Sequence, residues 1–90
     1  LADGARTISL GRLNFDILSR EMSGVMEIDE NLISLAMKHL HQCGLRVEPT
    51  GALSVAALLA EAKHFVDLKI GCVLSGGNVD DDVYCNLVGL

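Results

Sequence analysis

The sequence has almost no aromatic mass. Trp is absent, Tyr occurs once and Phe twice, so aromatics make up 3% of the 90 residues. The apolar residues, 50% of the chain, are therefore mainly Leu, Val, Ile and Ala. Mean hydropathy is +0.39, high for a small domain that must also show a surface. A chain this short buries only somewhat over roughly 60% of its unfolded surface, so its stability is marginal. This balance suits a slice of a larger α/β core better than a self-sufficient miniprotein, and an exposed apolar patch that needs a partner is expected.

Basic residues are also scarce. Seven Lys and Arg against twelve Asp and Glu give a net charge of −5. Without a basic cluster, nucleic acid and anionic membrane surfaces are poor partners. No apolar run approaches the roughly 18 residues of a membrane span. The amino terminus lacks the basic-then-apolar pattern of a signal peptide. Cys43, Cys72 and Cys85 are odd in number, widely spaced and without a C-x-x-C pair. A disulfide framework is not expected, and a reduced, cytoplasmic compartment is. Cys72 reads as a small core residue. The length allows at most one small domain. The first residue is Leu, so residues 1–90 are expected to form a single partial domain with sequence missing upstream.

The pattern along the chain alternates. Gly4 and Gly11 break residues 2–10 into loop and edge structure. Asn14 caps a predicted helix to Met22 with Phe15, Leu18 and Met22 on one stripe, and Gly24 follows. Val25–Ile28 alternates as a strand. Asp29 is a good N-cap for a helix through Cys43, with Leu32, Ile33, Ala36, Met37 and Leu40 as its apolar face and Gly44 as the stop. Leu45–Val47 reads as a brief strand. The single Pro, Pro49, or Thr50 opens a helix running to Ala60 that is apolar nearly all round, a pattern of burial on several sides. Lys69–Leu74 reads as a buried strand, and Val79–Val88 as a short terminal helix. This order predicts an α/β fold with short, mostly parallel strands covered on both faces.

Three segments carry polar groups where such a fold would bind a ligand. Leu74-Ser75-Gly76-Gly77-Asn78 ends an apolar run in a turn of nearly bare backbone. By pattern alone this is first a strand-to-helix turn with a capping Ser. Val47-Glu48-Pro49-Thr50-Gly51 places a carboxylate between an apolar run and an apolar helix, where the bland reading is an acid favoured by the helix dipole. Ala2-Asp3-Gly4 stands at the start of the chain.

The order and spacing of these motifs, from Ala2 to about Asp80, resemble the carboxyl-terminal part of the serine/threonine dehydratase and serine racemase family. These are pyridoxal-phosphate enzymes of the tryptophan-synthase-β fold (fold type II). The resemblance implies that residues 1–90 are part of a three-layer, cofactor-binding large domain. It implies that the Ser75 hydroxyl lies against the pyridine nitrogen, that Gly76 lets the turn approach the ring, and that Glu48 sits beside it. Asp3 and Gly4 would pack their backbone against the cofactor face, while Asn78 would fix the turn. It also implies that no catalytic residue lies within this chain. The Lys that forms an imine with the cofactor and the Gly-rich phosphate loop belong upstream, and Lys38, Lys63 and Lys69 stand in the wrong contexts. The implied activity is dehydration and deamination of a β-hydroxy amino acid to a 2-oxo acid and ammonia, or racemisation of serine. The implied partners are the remainder of the enzyme or a complementary chain, and further copies in a homo-oligomer. A non-catalytic interaction module is the alternative.

Other constellations are weak. His39 and His41, two apart on a helix, face different directions. Asp80, Asp81 and Asp82 read as first-turn caps before they read as a cation site. No metal site is expected.

Overall fold

The computed structural model describes residues 1–90. It contains four helices, α1 (Arg12–Glu21), α2 (Glu30–Gln42), α3 (Leu53–Ala60) and α4 (Asp81–Val88), with short 3₁₀ turns at Asp3–Ala5, Thr50–Ala52 and Ala62–Phe65. Helical structure accounts for 54% of the chain, and there is no strand or sheet. The predicted α/β fold with parallel strands is therefore corrected: this chain is helical. Val25–Ile28, Leu45–Val47 and Lys69–Leu74 have no ladder partner. An apolar run signals that a segment favours burial, but a strand also requires a second edge to satisfy its backbone. A single backbone bond links the chain just past the second and third of these runs, from the Glu48 N–H to the Gly76 carbonyl at 3.0 Å.

Two of the helices, α2 and α4, are flanked by an Asp at the N-cap and a Gly beyond the end, although neither Asp side chain makes a capping hydrogen bond. Asp29, at the N-cap of α2, has extended backbone. Gly44 follows its end with φ +79°, a left-handed conformation that costs Gly little. Asp80 occupies the N-cap of α4, Asp81 and Asp82 lie in its first turn, and Gly89 closes it in the left-handed region. Two acids at a helix start complement the positive end of its dipole. The first helix starts earlier than Asn14 suggests: Gly11 is its N-cap, and Asn14 lies inside it.

The centre of the molecule is α2. Ile33, Ala36, Met37 and Leu40 are its buried residues, spaced to line one face. Against that face pack Ala52 and Ala56 from the α3 arm and Tyr84 and Val88 from α4, with Val47 completing the cluster. Only 11 of 90 residues are buried, so this core is small and most apolar mass lies outside it. No residue of α1 is buried; Phe15 is 59% exposed, and the predicted stripe covers no core. Ala56 alone is buried on α3, which rests on α2 by one side instead of being enclosed. Val66, Leu68, Ile70, Val73 and Leu74 are also exposed. Cys72 is half-buried and lies outside the core cluster.

Candidate functional site

The three polar segments come together beside the start of α3. The chain enters through Val47, which is buried, and Glu48, which is half-buried. Ala52 N–H donates to the Glu48 and Pro49 carbonyls at 3.1 and 3.2 Å, closing the turn that leads into α3. Pro fits the first turn because its missing N–H has no partner there to lose. Thr50 turns its hydroxyl to the amino-terminal segment, where Oγ1 accepts from the Gly4 N–H at 3.0 Å. A Cβ on Gly4 would stand 2.9 Å from that oxygen, so the close approach requires Gly.

The Ser75–Asn78 arm lies on the other side. Glu48 N–H donates to the Gly76 carbonyl. Gly76 has φ +76°, and a Cβ there would overlap the Glu48 carboxylate. The Ser75 carbonyl packs directly on Gly51: a Cβ at Gly51 would overlap that oxygen and lie 2.8 Å from its carbon. Behind the arm, Ser54 Oγ donates to the Val73 carbonyl at 3.0 Å. The turn itself closes through Val79 N–H to the Gly77 carbonyl at 3.0 Å.

A cleft of about 260 Å³ opens among these segments, with Asp3, Glu48, Thr50, Asn78 and Asp80 in its lining. Of the six singled-out residues, Asp3, Glu48 and Asn78 thus share one cleft, while Gly4 and Gly76 make the contacts that assemble it. Ser75 is exposed and lies outside that lining. The turn-fixing role expected of Asn78 falls instead to backbone groups, since the only bonds closing the turn are backbone ones. No Lys lines the cleft. Thr50 and Gly51 were legible only as motif letters; their signal was small size at the point where three segments meet. Arg46 and Tyr84 gave none.

No family model matches the chain, and no solved structure matches it. Curated relatives do. Over 89 residues, 98% of this chain, it is 36% identical to a serine racemase of Schizosaccharomyces pombe. Over the same length it is 33% identical to an L-threo-3-hydroxyaspartate ammonia-lyase of a Pseudomonas species. A biosynthetic L-threonine dehydratase of Lactococcus lactis is 34% identical over 80 residues, 88% of this chain. The chain spans 28% of the length of the first two relatives and 19% of the third. By sequence it is a homologous segment of the serine racemase, threonine dehydratase and hydroxyaspartate ammonia-lyase family, matching the carboxyl-terminal portion of those proteins.

Proposed function

We propose that residues 1–90 are the carboxyl-terminal part of the cofactor-binding domain of a pyridoxal-phosphate enzyme. The reaction is dehydration and deamination of a β-hydroxy amino acid to a 2-oxo acid and ammonia. The observation that carries this reading is the convergence of the Asp3-Gly4, Glu48–Gly51 and Ser75–Asn78 segments on one cleft. Each is drawn in by a glycine or a backbone group.

The residues present fit one part of the cofactor. Gly4 and Gly76 are bare because Thr50 and Glu48 occupy the space a Cβ would need, so these two glycines assemble the segments around the cleft. Ser75 offers an exposed neutral hydroxyl, and no side-chain hydrogen bond within the chain occupies it or the Glu48 carboxylate. Asp3, Glu48 and Asp80 make the cleft acidic, and no Lys or Arg lines it, so the phosphate and the covalent Lys belong to another part of the protein. Pyridoxal phosphate, when bound, supplies the electron sink that allows the substrate Cα–H bond to break. The exposed Ser75 hydroxyl would be the neutral group offered to the pyridine nitrogen; a neutral donor would not hold that nitrogen protonated, which would moderate the sink and favour rapid loss of a β-hydroxyl over transamination. Glu48 would orient the ring substituents, Asp3 and Gly4 would offer backbone to it, and Asn78 would line the same cleft.

In this reading the rest of the enzyme covers α1 and the exposed 66–74 segment. The whole works as a homo-oligomer in the reducing cytoplasm, with Cys43, Cys72 and Cys85 as free thiols. Serine racemisation is the second reading, favoured by the Schizosaccharomyces relative. The test is Ser75→Ala in the native-length protein. The variant is expected to keep its fold and lose most 2-oxo acid production from serine or threonine, and wild-type turnover would refute the role of Ser75. D-serine as the main wild-type product would favour the racemase. No cofactor absorbance in the wild-type protein would favour an interaction module.

A further inference from the structure

Arg46 stands two residues before Glu48 and makes three contacts with the arm that follows Asn78. Its guanidinium Nη2 donates to the Val79 carbonyl at 2.9 Å and to Asp81 Oδ1 at 2.7 Å. The guanidinium carbon lies 4.4 Å from the centroid of the Tyr84 ring. Tyr84 is itself fixed: it is buried, and its hydroxyl lies 3.0 Å from His41 Nδ1 on α2. The Arg46 main chain touches the same arm, since a Cβ on Gly77 would be 3.4 Å from the Arg46 carbonyl oxygen. Two residues further along, the Glu48 N–H bonds the Gly76 carbonyl of the same arm.

We infer that Arg46 is a positioning residue that pins the Gly77–Asp81 arm to the Val47–Pro49 segment and so sets the separation of Glu48 and Asn78 across the cleft. An ion pair this exposed, with side chains 43% and 87% accessible, contributes little as a pair. What distinguishes Arg46 is that one planar group serves a carbonyl, a carboxylate and an aromatic face together. An ammonium, being a point charge, cannot reproduce all three. The three partners fall on Val79, Asp81 and Tyr84, so they fix both the path of the arm and the start of α4.

The inference rests on the proposed function for its catalytic consequence, but its geometric content is tested without cofactor. In the native-length protein, amide hydrogen exchange is measured for wild type, Arg46→Met and Arg46→Lys. Arg46→Met is expected to speed exchange of the Glu48 amide about tenfold, the worth of one charge-assisted hydrogen bond. The Met37 and Leu40 amides in the middle of α2 should stay unchanged. Arg46→Lys should fall between the two. Unchanged exchange at Glu48, or equal acceleration across α2, would overturn the positioning role. In the cofactor-loaded protein, Arg46→Met should lower kcat about tenfold with KM within about twofold, as a displaced positioning group does; a change in KM alone would count against it. A wild-type protein that binds no pyridoxal phosphate would end the proposed function and leave the exchange result to decide the positioning role.

Discussion

Gly51→Ala is the sharpest single perturbation of this site. Gly51 is buried, and its backbone is not in the left-handed region that favours glycine. The substitution therefore adds one methyl group and no dihedral strain. That methyl would overlap the Ser75 carbonyl oxygen, lie 2.8 Å from its carbon and 2.7 Å from Val47 Cγ1, where ordinary contact begins at 3.4 Å. Two of these neighbours are backbone atoms, so they cannot rotate away; the overlap with the carbonyl oxygen forces the arm to retreat by more than about one ångström. Overpacking of this kind costs about 1–3 kcal/mol. The retreat strains the Glu48–Gly76 bond and the Ser54–Val73 bond, each contributing about 1 kcal/mol. Against the roughly 5–15 kcal/mol of a typical domain, a loss of about 2–5 kcal/mol is large. In a thermal melt of the native-length protein followed by circular dichroism, each lost kcal/mol should lower Tm by about 2–4 °C, the scale of a domain of roughly 150–250 residues. The control is Gly71→Ala: nothing lies within 4 Å of its Cβ position, so it should be neutral or stabilising by up to about 1 kcal/mol. A Gly51→Ala melt within about 0.5 kcal/mol of wild type would refute the packing of Ser75 on Gly51.

Three further outcomes are expected. Gly76→Ala should cost about 1–3 kcal/mol from its left-handed backbone alone and push the Glu48 carboxylate aside; the melt reads the first effect, and Glu48 side-chain chemical shifts read the second. Met37→Ala removes a side chain that is only 1% exposed at the centre of the core and should destabilise by about 2–5 kcal/mol, measured as a lower midpoint in urea. Tyr84→Phe deletes the hydroxyl partner of His41. It should cost about 0.5–1.5 kcal/mol in the same titration while leaving the ring beneath Arg46 in place.

The helices were largely legible because their signals are local. Asp29 and Gly44 bracket α2 within a residue or two, and of its expected apolar face Ile33, Ala36, Met37 and Leu40 are buried while Leu32 is half-buried. The acids Asp80, Asp81 and Asp82 mark the start of α4 in the same way. The strands were misread because a strand depends on something an apolar run does not contain, a neighbouring edge at hydrogen-bonding distance. Ile70, Val73 and Leu74 have the apolar character but are exposed and unpaired. The site was legible as motifs and not as contacts. Thr50 meets Gly4 across 46 residues, and Arg46 meets Asp81 across 35. Nothing in local periodicity encodes such distant pairs.

Backbone groups and glycines do most of the holding at this site. The Gly4 amide, the Gly76 carbonyl and the Ser75 carbonyl each secure a segment. The Ser75, Asn78 and Glu48 side chains accept and donate nothing among the side-chain hydrogen bonds of the chain. Under the proposed function, assembly and chemistry are thereby carried by different atoms. A substitution at Gly4, Gly51 or Gly76 disturbs where the segments meet and should register in stability. A truncation at Ser75 or Asn78 leaves those contacts intact and should register in chemistry alone. If Ser75→Ala lowered stability as much as Gly51→Ala, that division would fail, because the hydroxyl would have to be holding the arm in place. If Ser75→Ala left the melt unchanged and abolished turnover in the native-length protein, the exposed hydroxyl would be a group kept free for a ligand.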